Sequence, residues 1–146
     1  PDVSIADARY VRVSTADTIR GAKIYTSIAT FNAPVATPAT TVALSAAQSV
    51  VSISFAARNT FVVSLVSAQG CSVAAPSNAT AGQSGSIYLI QDGTGGSVLT
   101  YDPVWRFPNA SAPSNTITAS AVDLLVYNVR SATTIDAVLL KGFGRT

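Results

Sequence analysis

Residues that favour α-helices are scarce in this sequence. It contains no Glu and no Met, its seven acidic residues are all Asp, and lysine occurs only twice. Alanine is common, but it stands between Thr, Pro and Ser, as in "NAPVATPATT" from Asn32 to Thr41, and shows no helical period. Val, Ile, Thr and Ser take the place of the missing residues. The sequence therefore predicts a backbone built from β-strands.

Six to eight strands and no helix are predicted. Short strands with frequent turns indicate an all-β protein, and we predict an antiparallel β-sandwich or jelly-roll-like domain for residues 42–146. Residues 1–41, whose short apolar runs are broken by Ser, Thr, Asp and Pro, are predicted to form an extended N-terminal arm. Three hairpins are predicted: Val50–Phe55 with Thr60–Ser67, Ile87–Gln91 with Val98–Tyr101, and Ala121–Arg130 with Thr134–Lys141.

Charged residues make up only 11% of the chain, against about 25% in an average globular protein. So few charges predict that part of the surface is buried against other chains. The net charge of +2 is too small, and its arginines too scattered, for nucleic-acid binding. No apolar run is long enough for a membrane helix, and the N-terminal sequence lacks the regions of a signal peptide. Pro1 is compatible with removal of an initiator Met, which favours a natural mature terminus.

Residue sets for catalysis are missing from the sequence. Without His, the Ser-His-Asp and Cys-His nucleophile systems and His-based zinc sites are excluded. Asp92 and Asp102 flank the second predicted hairpin, as a carboxylate pair for glycoside hydrolysis would. However, Asp92 opens a Gly-rich turn and Asp102 precedes proline, which are positions where Asp is favoured for its backbone hydrogen bonds. We therefore predict no catalytic residue and no enzyme.

Cofactor and metal sites are not predicted either. The turn "QDGTGG", Gln91–Gly96, lacks the Gly-Lys-Ser/Thr of a phosphate loop, and it offers one carboxylate where calcium would need several oxygen ligands. The single cysteine, Cys71, has no cationic neighbour in sequence and is predicted to be a small buried residue.

Aromatic residues follow this turn. Tyr101 and Trp105 are candidate glycan contacts, because aromatic rings stack on sugars. The alternative, which the sequence favours, is that Trp105 and Phe107 pack in the core or in a subunit interface, with Arg106 between them pointing the other way.

Five short features follow one another between Asn78 and Phe143: "AGQSG" before a strand, "QDGTGG", Trp105 ahead of "FP", "AVDLL" and "LLKGF". In this order they resemble a domain that recurs near the C-termini of tailed-bacteriophage tail fibres and other virion proteins. Upstream, "TADTIRGAKIYTS", Thr15–Ser27, resembles a short element of fibre proteins. The main resemblance covers a little under half of the chain.

The resemblance implies a homotrimeric, β-structured virion protein, made in the cytoplasm of the bacterial host, that works through surfaces rather than catalysis. Two placements stay open. A tail fibre or receptor-binding knob would contact host polysaccharide or protein. A small capsid-decorating or head-fibre protein would bind other virion proteins through its N-terminal arm.

Two other classes compete with the virion placements. A carbohydrate-binding module or adhesin that is not part of a virion would use Tyr101 and Trp105 as its platform. A polysaccharide-degrading enzyme is less favoured, because fibre-borne enzymes of this kind are usually long β-helices with grouped carboxylates. The sequence shows neither repeats nor such a group.

Overall fold

The computed structural model describes residues 38–45, 48–56, 58–66 and 70–144. These residues belong to one compact unit, Ala36–Thr146. The all-β prediction is confirmed, because the described residues form strands and one short 3-10 helix. The elements are β1 (Thr40–Ala43), β2 (Val50–Val51), β3 (Thr60–Ser64), β4 (Gly70–Val73), β5 (Ser84–Ile90), β6 (Val98–Tyr101), β7 (Trp105–Arg106), the 3-10 helix (Pro108–Ala110), β8 (Val122–Ser131) and β9 (Thr134–Leu140).

The first six strands alternate between two sheets. β1, β3 and β5 lie side by side in the larger sheet, here sheet A, whereas β2, β4 and β6 form the smaller sheet B. Within each sheet these neighbours run parallel. The chain therefore winds in successive coils, and each coil adds one strand to each sheet. This arrangement is a β-solenoid.

An antiparallel hairpin extends sheet A beyond the coils. β8 pairs antiparallel with β5, and β9 pairs antiparallel with β8. The short strand β7 then joins the far side of β9 in parallel orientation. Sheet A thus has the order β1-β3-β5-β8-β9-β7 and combines parallel coils with an antiparallel end.

The core is formed by alternate residues of the strands of both sheets. In β3, Phe61 and Val63 are buried, whereas the other residues of the strand, which alternate with them, are only half-buried. The register then places Phe61 beside Ile87 and Ile87 opposite Leu125, so that buried side chains stack from coil to hairpin. Sheet B contributes Val51, Cys71, Val73 and Leu99 to the same cluster. Cys71 is buried as a small apolar residue, and burial raises the pKa of its thiol.

The predicted sandwich or jelly-roll is wrong, because the strands of the coils pair in parallel. Two of the three predicted hairpins are also wrong, because β2 and β3 lie in different sheets, and so do β5 and β6. The local sequence of a strand–turn–strand segment is similar whether its turn closes a hairpin or forms a corner between two sheets. The third hairpin, β8 with β9, is confirmed, with Ser131 opposite Thr134.

The coils have unequal lengths. In sheet A the pairing runs from position 40 to 61, a step of 21 residues, and then from 60 to 86, a step of 26. In sheet B it runs from 50 to 72, a step of 22, and from 70 to 98, a step of 28. Corners of different length leave no period in the sequence. The absence of repeats in the sequence is therefore compatible with the solenoid.

The predicted N-terminal arm, residues 1–41, lies outside the described residues except for 38–41. Thr40 and Thr41 are the first residues of β1. Among the described residues, the structure contains no helix with the length and apolar character needed to cross a membrane.

Candidate functional site

The Gly-rich turn is packed against a later segment of the chain. The Asp92 Oδ1 atom accepts hydrogen bonds from the backbone N–H groups of Thr94 (3.0 Å) and Gly95 (2.8 Å). Gly95 has a φ of 71°, and a Cβ at this position would lie 2.5 Å from the carbonyl oxygen of Ile117. The N–H of Gly96 donates to that same oxygen (2.8 Å). The glycines therefore permit a close backbone contact, as the turn interpretation expects.

Four polar side chains are buried near this turn: Gln91, Ser97, Asn115 and Asp123. The Gln91 amide donates hydrogen bonds to the carbonyl oxygens of Ser97 (2.8 Å) and Thr116 (3.0 Å). Asn115 Oδ1 accepts a hydrogen bond from the backbone N–H of Leu99 in β6 (2.9 Å). β6 is the last strand of sheet B in the described part of the chain. The Asn115 side chain thus satisfies a backbone group that a further strand would otherwise pair.

Asp123 joins two chain segments through its buried carboxylate. Its Oδ2 atom accepts a hydrogen bond from the N–H of Thr116 (2.6 Å), and its Oδ1 atom accepts one from the N–H of Gly142 (2.9 Å). Both donors are backbone groups, one from the segment before β8 and one from the residues after β9. The "AVDLL" feature, which contains Asp123, therefore holds the start of β8 against the segment before it and against the residues that follow β9.

The "AGQSG" feature also makes backbone contacts. The N–H of Gly82 donates to the carbonyl oxygen of Val129 (2.9 Å), and the Gln83 amide donates to that of Phe55 (3.0 Å). At Gly85 a Cβ would lie only 1.9 Å from the carbonyl oxygen of Asn59. The "AGQSG" feature thus includes residues that hold coils and hairpin together.

Trp105 lies in the core. It is 4% exposed, its Nε1–H donates a hydrogen bond to the carbonyl oxygen of Ala74 (3.1 Å), and its ring meets that of Tyr127 edge-on. Arg106, the next residue, is exposed. This geometry agrees with the packing alternative. Trp105 also lines, together with Tyr101, a cleft of about 290 Å³, and a glycan contact by this residue stays a prediction.

Tyr101 is half-buried and packs edge-on against Phe107, with ring centroids 4.7 Å apart. Its hydroxyl oxygen is buried and has no hydrogen-bond partner among the described residues. Burial, and secondarily the Asp123 carboxylate, raise the pKa of Tyr101 well above its ordinary value, because both disfavour the tyrosinate anion. The structure thus brings the two predicted glycan contacts, Tyr101 and Trp105, together in one cleft, and the contact of Tyr101 with a sugar likewise stays a prediction.

The remaining carboxylates in the described residues are hydrogen-bonded within the fold. Asp102 Oδ1 accepts a hydrogen bond from the N–H of Val104 (2.9 Å), as expected of an Asp that opens a turn. Asp136 pairs with Arg130 through both carboxylate oxygens, one of them 2.9 Å from Nε. Within the described part of the chain, no group of three or more His, Cys, Asp or Glu side chains could hold a metal ion.

The outer face of sheet A is the side of the sheet that points away from the core, and it carries a row of polar residues. The register places side by side, on β7, β9, β8 and β5, the residues Arg106, Asp136, Asn128 and Ser84. This polar row and the neighbouring Phe107 and Val138 line a groove of about 640 Å³. We call it the outer groove. Of these residues, the sequence analysis predicted only that Arg106 points away from Trp105 and Phe107. The residues of the polar row come from four strands, and the strand order of sheet A brings them together.

Exposed apolar side chains continue this face beyond the outer groove. Val126 lies opposite Val138 at the floor of the outer groove. The next row along the strands, beyond the groove, contains Tyr88, Leu124 and Leu140. Tyr88 is 38% exposed and Leu140 is 44% exposed. We call the row of Tyr88, Leu124 and Leu140 the apolar row. Alternation of apolar residues on both faces of β8 and β9 is the sequence signal that could have revealed it.

The described geometry offers surfaces for noncovalent contact, among them the outer groove, the apolar row and the cleft beside Tyr101 and Trp105. Comparison of the chain with protein-family models, with curated proteins and with solved structures found no match.

Proposed function

We propose that this chain is a non-enzymatic structural protein on the surface of a tailed-bacteriophage virion. It is a trimeric fibre or knob, or a capsid-decorating head-fibre protein, and it acts in particle assembly and stabilisation or in host attachment. The observation that carries the proposal is the apolar row, with Tyr88 and Leu140 exposed on the outer face of sheet A. A contiguous apolar surface of this kind is suited to burial against another protein chain.

Three further observations support the proposal. A β-solenoid is compatible with fibre-like proteins. The sequence features on which the predicted resemblance rests include buried or backbone-contacting residues such as Asp123 and Gly95, which is what a structural role for these features requires. The carboxylates of the described residues are engaged in turns, in the core or in the Arg130–Asp136 pair.

The partners in this proposal are two further copies of the chain and other virion proteins. The copies bury the apolar row, whereas the predicted N-terminal arm binds the capsid or the tail. Separate surfaces would thus serve self-association and attachment.

Particle binding tests this proposal. The purified full-length chain is added to phage particles that lack it, and the bound chain is measured after sedimentation. We expect saturable binding, and we expect deletion of residues 1–27 to abolish it while the circular dichroism of the β domain is retained. Failure of the full-length chain to bind would contradict the virion role. Undiminished binding of the shortened chain would show that the arm is not the anchor.

A carbohydrate-binding module or adhesin outside a virion is the second candidate function. One observation favours it, namely the outer groove with its charged and amide side chains. The platform expected from the sequence, Tyr101 and Trp105, does not line this groove. A chain that binds sugar but no particle would favour this second candidate.

A further inference from the structure

We infer that the outer groove binds an acidic saccharide, with Arg106 as the ion-pair partner of the sugar carboxylate. The inference does not depend on the proposed virion role, because it concerns the isolated chain.

The charges of the outer groove do not balance. Arg130 is already paired with Asp136 through two hydrogen bonds. Arg106 stands beside Asp136 in the β7–β9 register but forms no hydrogen bond or ion pair within the described residues. The groove therefore holds two guanidinium groups and one carboxylate. A ligand carboxylate would supply the missing negative charge, and its two oxygens match the planar fork of a guanidinium.

The lining of the outer groove suits a sugar ring. Val126 and Val138 form an apolar floor, with Phe107 beside them, and Asn128 and Ser84 offer an amide and a hydroxyl. A pyranose has an apolar C–H face and a rim of hydroxyl groups, so it can use both kinds of contact. The groove volume of about 640 Å³ lies within the range of ordinary small-molecule sites.

The backbone at this surface favours a saccharide over a peptide. β8 lies between β5 and β9, and its backbone N–H and C=O groups pair with those neighbours in the plane of the sheet. The β8 part of the groove floor therefore presents side chains only. Extended peptides are usually recognised through free backbone groups at a sheet edge, which β8 lacks.

A titration of the full-length chain with two related sugars tests the inference. The acidic probe is 3′-sialyllactose and the neutral probe is lactose, and binding is followed by nuclear magnetic resonance of the backbone amides. We expect the acidic probe to shift the signals of Arg106 and Asn128 and to bind at least about tenfold more tightly than lactose. Digalacturonate serves as a second acidic probe, because it carries its carboxylates on a different sugar.

Two variants of equal net charge separate the site from general attraction. Arg106→Gln removes the charge in the groove, and we expect it to weaken binding of the acidic probes by about tenfold or more. Lys141→Gln removes one charge outside the groove lining and should leave binding unchanged. Both residues are exposed, so both variants should fold, and their amide spectra report this directly.

Four outcomes would overturn the inference. Two concern the probes: neither acidic probe binds at about 10 mM, or lactose binds as tightly as 3′-sialyllactose. Two concern the variants: Arg106→Gln binds the acidic probes like the unmodified chain, or Lys141→Gln weakens their binding as much as Arg106→Gln does. A carboxylate-rich hexapeptide that shifts the same signals at lower concentration would assign the groove to a protein ligand instead. None of these results bears on particle binding.

Discussion

Single residues hold this fold where two backbones approach each other or where a large ring fills the space between the sheets. Trp105 fills such a space and also satisfies the carbonyl oxygen of Ala74. Gly85 and Gly95 lie where no side chain can be accommodated. Changes at these residues should therefore have large effects, whereas matched changes at neighbouring exposed residues should not.

Replacement of Trp105 by alanine should lower the free energy of unfolding by about 3–5 kcal/mol, because it leaves a cavity and an unpaired carbonyl group. Arg106→Ala, one residue away and exposed, should change that free energy by less than about 0.5 kcal/mol. Urea unfolding followed by fluorescence or circular dichroism measures both. Equal stability of the two variants would contradict the packed position of Trp105.

Gly95→Ala should destabilise the chain by at least about 2 kcal/mol, because residue 95 has a positive φ and its new Cβ would meet the carbonyl oxygen of Ile117. Gly93→Ala, in the same turn, meets nothing within 4 Å and should be nearly neutral. The difference in melting temperature between these variants checks the prediction. If both substitutions cost the same, the turn does not need the close contact.

Part of the residue-level picture is predictable from sequence. The opposite orientation of Trp105 and Arg106 follows from the strand period of two, and the structure agrees with it. The outer groove does not follow from any local pattern. Asn128 and Asp136 are neighbours within a hairpin, but Arg106 joins them only because β7 pairs with β9 and not with the strand before it in sequence.

Among the elements, the β8–β9 hairpin is the one whose pairing the sequence predicts correctly. Its two strands are joined by a short turn, so the pairing partner lies close in sequence. The strands of the coils have partners 21 to 28 positions away, and the corners between them use the same turn residues as hairpins. Local chemistry therefore predicts the strands but not their partners.

The Asp123 carboxylate links the hairpin to the segments before and after it. We expect Asp123→Asn to lower the free energy of unfolding by about 2–3 kcal/mol. Each of the two carboxylate oxygens accepts a hydrogen bond from a different backbone N–H group, and an amide has only one acceptor oxygen. Asp136→Asn breaks only the partly exposed pair with Arg130 and should cost about 1 kcal/mol or less. Urea unfolding of the two variants compares them. A larger loss in Asp136→Asn would contradict this assignment.

The stability of the hairpin should fall at alkaline pH. Burial raises the pKa of Tyr127 from its ordinary value near 10 to about 12, and its hydroxyl donates a hydrogen bond to the Asn59 carbonyl oxygen (3.0 Å). Between these pH values the folded chain keeps the proton that the unfolded chain releases. The stabilisation is therefore complete below pH 10 and is lost as the pH rises towards 12. Tyr101 acts in the same direction.

Urea midpoints measured from pH 8 to pH 11.5 test this dependence. Tyr127→Phe loses the hydrogen bond and should be less stable at pH 8, but its stability should decline less steeply above pH 10. Parallel curves for the two proteins would show that Tyr127 does not cause the decline.

For the whole molecule, the apolar row is the surface that links fold to proposed assembly. The mass of the purified chain in solution, measured by light scattering, should be near three times 14.9 kDa. Leu140→Asp places a charge in the apolar row and should give a folded monomer, because burial of an unpaired charge opposes association. Val98→Asp is the matched control, since Val98 is also exposed but belongs to sheet B.

A monomeric unmodified chain would contradict association without a carrier. Loss of the trimer in Val98→Asp but not in Leu140→Asp would place the interface on the other sheet.

β5 is a strand of sheet A that pairs in parallel with one neighbour and antiparallel with the other. β5 pairs with β3 through a long connection and with β8 in the opposite direction, while β8 and β9 need only a short turn to meet. Contacts close in sequence form fastest, so we expect the hairpin to nucleate folding and the coils to add towards the N-terminus. Synthesis on the ribosome proceeds from the opposite end. The coils therefore leave the ribosome before their nucleus exists, and β8 and β9, which are made after the coils, are the first to fold.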